Sequence, residues 1–284
     1  MSSADEVKRR AQIQFGTAAE RYIRDRIHVE GDELRRMVDL ARLTGAERVL
    51  DVATGGGHTA LAFAPHVREV VALDLTSAML EAAAKFVAAQ GGANVSFRLG
   101  DAEDIPFGHG EFDVVTARYA PHHFPQPQLF LAEAARVLRP HGRVVMFDNM
   151  APEDDELDAF LNHLEVWRDP SHFRAHRSSE WVRWMRAAGF SVESADPLVH
   201  KRYDFEEWTS KQSMPVAERD ALERWLLAAP ARCREFFSVS IEDGRVASVE
   251  ATFGAVAAAV GPRRVARLSF TRWAEGAAPA MEER

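Results

Sequence analysis

Three aspartates stand at the ends of successive apolar runs: Asp51 in Val49 to Val52, Asp74 after Val70 and Asp101 after Val95 to Leu99. Between the first two runs the chain reads Ala53-Thr54-Gly55-Gly56-Gly57-His58, so an apolar strand opens at once into three consecutive glycines. Glycine is needed where backbone must take positive φ or press against a ligand, and a helix starting just after such a turn offers free N–H groups. An acid inside the strand beside the turn would repel a pyrophosphate and attract a ligand carrying an ammonium group. Further on, His122 and His123 stand together just past a fourth apolar run, where an imidazole titrating near neutrality can take a proton from an acceptor. His122 is marginally preferred of the two.

The elements that must carry these residues follow from the hydrophobic pattern. Residues 4–43 read as helical, with Leu34, Met37, Val38 and Ala41 as one apolar stripe and Gly45 as the stop. Strands at 48–53, 69–75, 94–99, 112–118 and 143–148 then alternate with helices at 58–64, 77–90 and 127–138. Such alternation builds an α/β, doubly wound, mostly parallel sheet with helices on both faces. Pro140-His141-Gly142 reads as a tight turn, 153–165 and 179–188 as helices, and 190–230 as charged helices carrying Tyr203, Trp208 and Trp225. Asp243-Gly244 between alternating runs predicts a hairpin. The chain divides into a helical cap (1–45), a ligand-binding core (46–150), a region of inserted helices and remaining strands (151–262) and a loose tail (263–284).

With 284 residues, 46% of them hydrophobic, a large core is available, and a net charge of −8 argues against nucleic acid as a partner. The single Cys233 allows no intramolecular disulfide and reads as a packed thiol. The charged N-terminus and the absence of a long apolar run predict a cytoplasmic protein without a membrane span. His163, His172 and His176 show no zinc spacing. Oligomeric state does not follow from these residues.

Read alone, Gly55, Gly57 and Ala60 also fit the dinucleotide fingerprint, with Asp74 as the ribose acid. Taken together, however, VLDVATGGGHTA, VALDLTSAML, GDAEDIPF, FDVVTARYAPHHF and the run from Leu138 to Asp148 resemble the five motifs of the class I S-adenosylmethionine-dependent methyltransferases. Within that family the resemblance is to the small-molecule group that includes the ubiquinone and menaquinone C-methyltransferases, and it covers residues 48–150 closely. It implies a seven-stranded sheet whose reversed last strand falls near 239–260, and S-adenosyl-L-methionine as cofactor. Asp51, Ala53, Gly55 and Gly57 would surround the methionine part, Asp74 would take the ribose hydroxyls, and Leu75 and Met79 would pack on the adenine. Asp101 and Ala102 would meet the adenine amino edge, with Ala117 and Arg118 as backbone wall. Ala53 departs from the family's usual glycine.

No Asn/Asp-Pro-Pro-aromatic loop and no loop cysteine follows the fourth strand, which leaves a small organic acceptor for transfer to O, N or activated C. Asp148-Asn149 resembles the metal-binding pair of catechol-type O-methyltransferases, but Ala117-Arg118 stands where a third ligand is needed, so no metal is expected. Asp148 is then a pocket residue, with Tyr22, His28, Trp167 and Phe173 as further candidates for the acceptor pocket, and Trp181 and Trp184 as core. The alternatives are a nicotinamide-dependent oxidoreductase, for which no Tyr-x-x-x-Lys pair is present, and a cofactor-binding protein without catalysis.

Overall fold

The structure, a computed structural model, describes residues 3–24, 31–210 and 214–261, with side chains in the first helix described up to residue 16. Ten strands form one sheet: β1 Arg48–Val52, β2 Glu69–Asp74, β3 Val95–Leu99, β4 Phe112–Arg118, β5 Leu138–Ala151, β6 His176–Arg177, β7 Phe190–Ala195, β8 Val199–Asp204, β9 Ser240–Glu242 and β10 Arg245–Val260. Seven lie along the path β3-β2-β1-β4-β5-β10-β7, while β6, β8 and β9 attach at its side. The first five run parallel, and β10 is antiparallel to both β5 and β7, so the reversed strand falls where the family pattern puts it.

Strand periodicity sends alternate residues to opposite faces. Val145 and Phe147 join Val49, Val70 and Phe253 on one face, under α2 (Asp32–Ala41), α3 (His58–Phe63) and α6 (Asp155–Arg168). Val144 and Met146 join Leu50, Leu73 and Val256 on the other, under α5 (Pro127–Val137) and α7 (Ser178–Ala187). The remaining helices are α1 (Ser3–Arg24), α4 (Ser77–Ala89), α8 (Phe205–Ser210), α9 (Val216–Leu227) and α10 (Ala231–Phe236). Among the described residues no helix is long and apolar enough to cross a membrane.

Two expectations change. The start of 190–230 is not helical: 190–195 and 199–204 are strands, because Phe190, Val192 and Ser194 alternate in burial with exposed neighbours, a period of two that pairs them with β10. Tyr203 therefore lies on β8, whereas Trp208 and Trp225 are helical. The Pro140-His141-Gly142 turn is an excursion inside β5: Phe112 pairs with Leu138 and Val114 with Arg143, and His141 takes φ +66° to absorb the extra residues. The Asp243-Gly244 hairpin forms with both residues at positive φ, 49° and 77°, as a type I′ turn requires. The 263–284 tail falls outside the described residues.

Candidate functional site

The three strand-end acids meet because β3, β2 and β1 are parallel neighbours that all finish at one edge of the sheet, the edge where open α/β sheets bind ligands. There they border an open cavity of about 1020 Å³ counted out into the solvent at its mouth. The floor is the turn from Ala53 to Gly56, one wall is Asp74 to Thr76 with Met79, the far end is Gly100 to Glu103, and the opposite wall is Arg118 to Ala120 with His123. Helix α1 roofs it with Lys8, Ala11 and Phe15.

The turn is tight for identifiable reasons. Gly55 has φ +53° and its N–H donates to Asp74 Oδ2 at 2.9 Å, while Thr76 N–H donates to Oδ1 at 3.0 Å. Gly57 has φ +83°, and a Cβ there would stand 2.9 Å from Val87 Cγ2, so the start of α3 packs against α4 only through glycine. Ala53 (φ +53°) and Tyr119 (φ +52°) also hold left-handed conformations despite their side chains. Both border the cavity, and backbone strain of this kind gathers at functional sites.

The acids differ in state. Asp51 is buried behind the turn, where its carboxylate accepts from the Thr54 and Thr116 hydroxyls at 2.6 and 2.7 Å. Burial pushes its pKa up to about 6, against those hydrogen bonds. Burial also raises Asp74, opposed by the N–H groups of Gly55 and Thr76. Asp101, at the far end, takes Lys8 Nζ at 2.6 Å, and Lys8 also reaches Glu103 at 2.7 Å.

The two histidines are set apart by their partners. His123 Nδ1 lies 2.9 Å from the Ser171 carbonyl oxygen, which can only accept, so Nδ1 carries the proton and the lone pair is on Nε2. Burial, reinforced by neighbouring His122, pushes its pKa down to about 3 and keeps the ring neutral. Ser171 is itself held by Asp169, which accepts from the Ser171 hydroxyl at 2.6 Å and from Gln14 of α1 at 2.8 Å. His122 instead meets Asp148 Oδ1 at 2.7 Å, and although burial opposes its charge, the Asp148 carboxylate raises its pKa overall. On the opposite wall, Arg118 reaches Thr59 at 3.0 Å and Glu33 at 3.1 Å, and Lys201 meets Glu33 at 2.9 Å under the rings of Tyr119, Phe147 and Phe253.

Of the residues expected from sequence, Ala53, Gly55, Asp74, Leu75, Met79, Asp101, Ala102, Arg118 and His123 line this cavity. Asp51, Gly57 and Ala117 support it from behind, and His122 and Asp148 form a buried pair beyond His123. Arg118 borders it, with its buried guanidinium held by Thr59 and Glu33. Trp167 is elsewhere, donating to Glu218 and packing near Trp225, because α6 turns that face toward α9. Phe173 is 41% exposed on a loop whose backbone hangs from the His122 carbonyl. Trp181 is fully buried and Trp184 packs beside it. His28 and the side chain of Tyr22 lie outside the described residues. Sequence reasoning missed Lys8, Phe15, Glu103, Asp169 and Ser171. The one available signal was Asp169-Pro170-Ser171-His172, a polar turn directly after an amphipathic helix.

Comparison with known proteins matches the geometry. A family profile described as "Methyltransferase domain" matches residues 50–146. YcgJ of Bacillus subtilis (strain 168), an uncharacterized methyltransferase, is 36% identical over 230 residues, 81% of this chain and 90% of that protein. The demethylmenaquinone methyltransferase of Thermotoga maritima is 34% identical over 169 residues, 56% of this chain and 71% of its own length. A crystal structure of a candidate methyltransferase from Bacillus halodurans superposes with a TM-score of 0.79 at 40% identity, covering 82% of this chain and 100% of that one. Fold, motifs and relatives agree, and the chain belongs to the class I S-adenosylmethionine-dependent methyltransferases.

Proposed function

We propose that the cavity binds S-adenosyl-L-methionine and that the protein transfers its methyl group to a small organic acceptor, with His123 as general base. The observation that carries this reading is the order of groups along the cavity: acids at the ends of β3 and β2, the glycine turn, then a neutral histidine with its lone pair on Nε2. The residues suit the cofactor. Asp74 would take both ribose hydroxyls, Leu75 and Met79 would give apolar surface to the adenine, and Asp101 with Ala102 would meet its amino edge. Gly55 is set by its backbone, φ +53°, rather than by crowding, since a Cβ there would make only ordinary contact with Met79 Cε at 3.6 Å. Arg118 at the opposite end offers a buried cation to the methionine carboxylate.

When bound, the cofactor supplies a methyl group on a sulfonium, open to in-line attack by the acceptor. The protein's task is alignment, worth up to ~7–11 kcal/mol when geometry is ideal. His123 Nε2 receives the acceptor's proton, and the Ser171 carbonyl keeps the tautomer that allows it. The Ser171–Asp169 pair holds that carbonyl in place, and α1 excludes water from above. The cytoplasm is the protein's proposed location.

Calorimetric titration with S-adenosylmethionine, S-adenosylhomocysteine and NADH tests the reading, alongside Asp74→Ala. Saturable binding of both sulfur compounds, weakened tenfold or more by the substitution, is expected. Binding of NADH alone would return Gly55 to Ala60 to the dinucleotide class.

A further inference from the structure

Lys201 stands on β8 with its ammonium among three aromatic rings, 5.2 Å from the ring centres of Tyr119 and Phe147 and 5.6 Å from that of Phe253. β8 pairs with the first half of β10, which sets Lys201 opposite Ala251, well outside the segment that the family profile matches. From there Nζ lies 2.9 Å from Glu33 Oε2 and also donates to the Tyr119 hydroxyl. Glu33, the second residue of α2, presents its other oxygen to the cavity wall: Oε1 accepts from Arg118 Nη1 and from the Tyr119 hydroxyl, both at 3.1 Å. Arg118 and Tyr119 line the cavity, whereas Glu33 and Lys201 stand behind them.

One carboxylate therefore serves two cations, of which one borders the ligand cavity. Such a cluster is a poor stabilising device, because withdrawing ions from water is costly and well-packed apolar residues hold a fold equally well. The side chains of Glu33 and Arg118 are each 4% exposed and that of Lys201 is 22% exposed. Burial opposes the Glu33 charge, yet the Lys201 ammonium holds its carboxyl below the ordinary carboxylate range. Burial and the Glu33 charge both raise Tyr119, so its hydroxyl keeps its proton and donates to Glu33. Arg118 is fixed on its other side by Thr59, in the first turn of α3 directly after the glycine turn. At so short a distance, in surroundings of low dielectric, the Glu33 carboxylate offsets the Arg118 charge and opposes any anion that approaches the guanidinium from the cavity. An ammonium on the second oxygen of Glu33 cancels much of that opposition.

We infer that Lys201 is a positioning residue for cofactor binding: by holding the second oxygen of Glu33 it limits how far Glu33 neutralises Arg118, and so strengthens the hold of Arg118 on the carboxylate at the methionine end. The inference rests on the S-adenosylmethionine reading of the cavity. It gives β8, a strand attached at the side of the sheet, a part in recognising the cofactor, carried through α2.

Calorimetry of the full chain with two ligands tests it. S-adenosylhomocysteine carries the amino-acid end, and 5′-methylthioadenosine has the same adenosine and sulfur without it. The parent should bind S-adenosylhomocysteine more tightly than 5′-methylthioadenosine. Lys201→Met should weaken S-adenosylhomocysteine by about fivefold or more and leave 5′-methylthioadenosine within about twofold. Lys201→Gln, which keeps a donor for the Tyr119 hydroxyl, carries the same expectation, and Lys201→Arg should restore the parent affinity. In a Glu33→Gln background, where the charge that Lys201 offsets is gone, Lys201→Met should change S-adenosylhomocysteine affinity by less than about twofold. Equal weakening of both ligands, or unfolding of both the Met and Gln variants, would mean that Lys201 serves packing alone, and would overturn the inference. So would unchanged S-adenosylhomocysteine affinity in Lys201→Met, equal parent affinity for the two ligands, or a loss that persists in the Glu33→Gln background. Failure of the parent chain to bind S-adenosylhomocysteine would instead overturn the reading of the cavity itself.

Discussion

His123 owes its chemistry to a backbone carbonyl. A carbonyl partner at Nδ1 fixes the tautomer, and burial disfavours the charged form, so Nε2 keeps its lone pair free well below neutral pH. Turnover should accordingly show no acid limb near pH 6.5, the range in which an ordinary histidine protonates. His123→Ala is expected to lower turnover by about 10²–10⁴-fold, the usual contribution of a general base, with S-adenosylhomocysteine affinity within twofold. A rate profile of the parent from pH 5 to 8 and calorimetry of the variant check both. Ala53 presents the opposite situation, a residue whose conformation its side chain resists. Ala53→Gly relieves ~1–2 kcal/mol of left-handed strain and adds ~0.4–1 kcal/mol of unfolded-state entropy. A net stabilisation of about 0.5–1 kcal/mol in urea unfolding is expected.

At the scale of elements, the site depends on how α3 and α4 approach the turn and on how α1 covers it. Gly57→Ala would place a methyl against Val87 and Ala83 in a left-handed residue, costing roughly 2 kcal/mol or more and displacing the turn from Asp74. Loss of both stability and cofactor affinity is the expected result, separating this position from Ala53. Helix α1 is fastened at Lys8 to Asp101 and Glu103, and at Gln14 to Asp169, so one helix touches both ends of the site. The Lys8 pair is about a quarter exposed on its Asp101 side, and such pairs are worth ~0–1 kcal/mol. Lys8→Met should speed release of S-adenosylhomocysteine by up to about fivefold in stopped-flow, an effect that shrinks in the parent as salt is raised.

For the whole molecule, buried titratable groups make stability depend on pH in two opposed directions. His123, His172 and His176 are all held below the usual histidine range, so the unfolded chain takes up protons that the folded one refuses. Their contribution is complete above about pH 6.5 and is lost as pH falls, at about 1.4 kcal/mol per unit for each proton. Asp51 works the other way: with a folded pKa of about 6 it binds a proton before the unfolded chain does, and it favours the fold as pH falls from 6 toward 4. Asp74, raised by burial, and His122, raised by Asp148, act in the same sense as Asp51, but the three lowered histidines are joined by carboxylates held low, such as Asp169, so urea midpoints should drop between pH 6.5 and 4. In His123→Gln the fall should be shallower by up to one proton, and in Asp51→Asn steeper.

What the sequence alone determined is the part governed by local periodicity and turn chemistry. The alternating apolar runs, the glycines and the strand-end acids defined the α/β core and the family, because each strand carries its own pattern and parallel neighbours bring their ends to one edge. The Asp243-Gly244 hairpin was legible for the same reason. Tertiary structure decided the rest. β7 and β8 escaped notice because their alternation is half polar, and only pairing with β10 buries it. Nothing in the adjacent His122 and His123 tells which one borders the cavity; that was set by Ser171 and Asp148, partners 48 and 26 residues away. Likewise Lys8 meets Asp101 across 93 residues, and Trp167 faces α9 rather than the site. Such contacts depend on packing between distant segments, which no local pattern encodes.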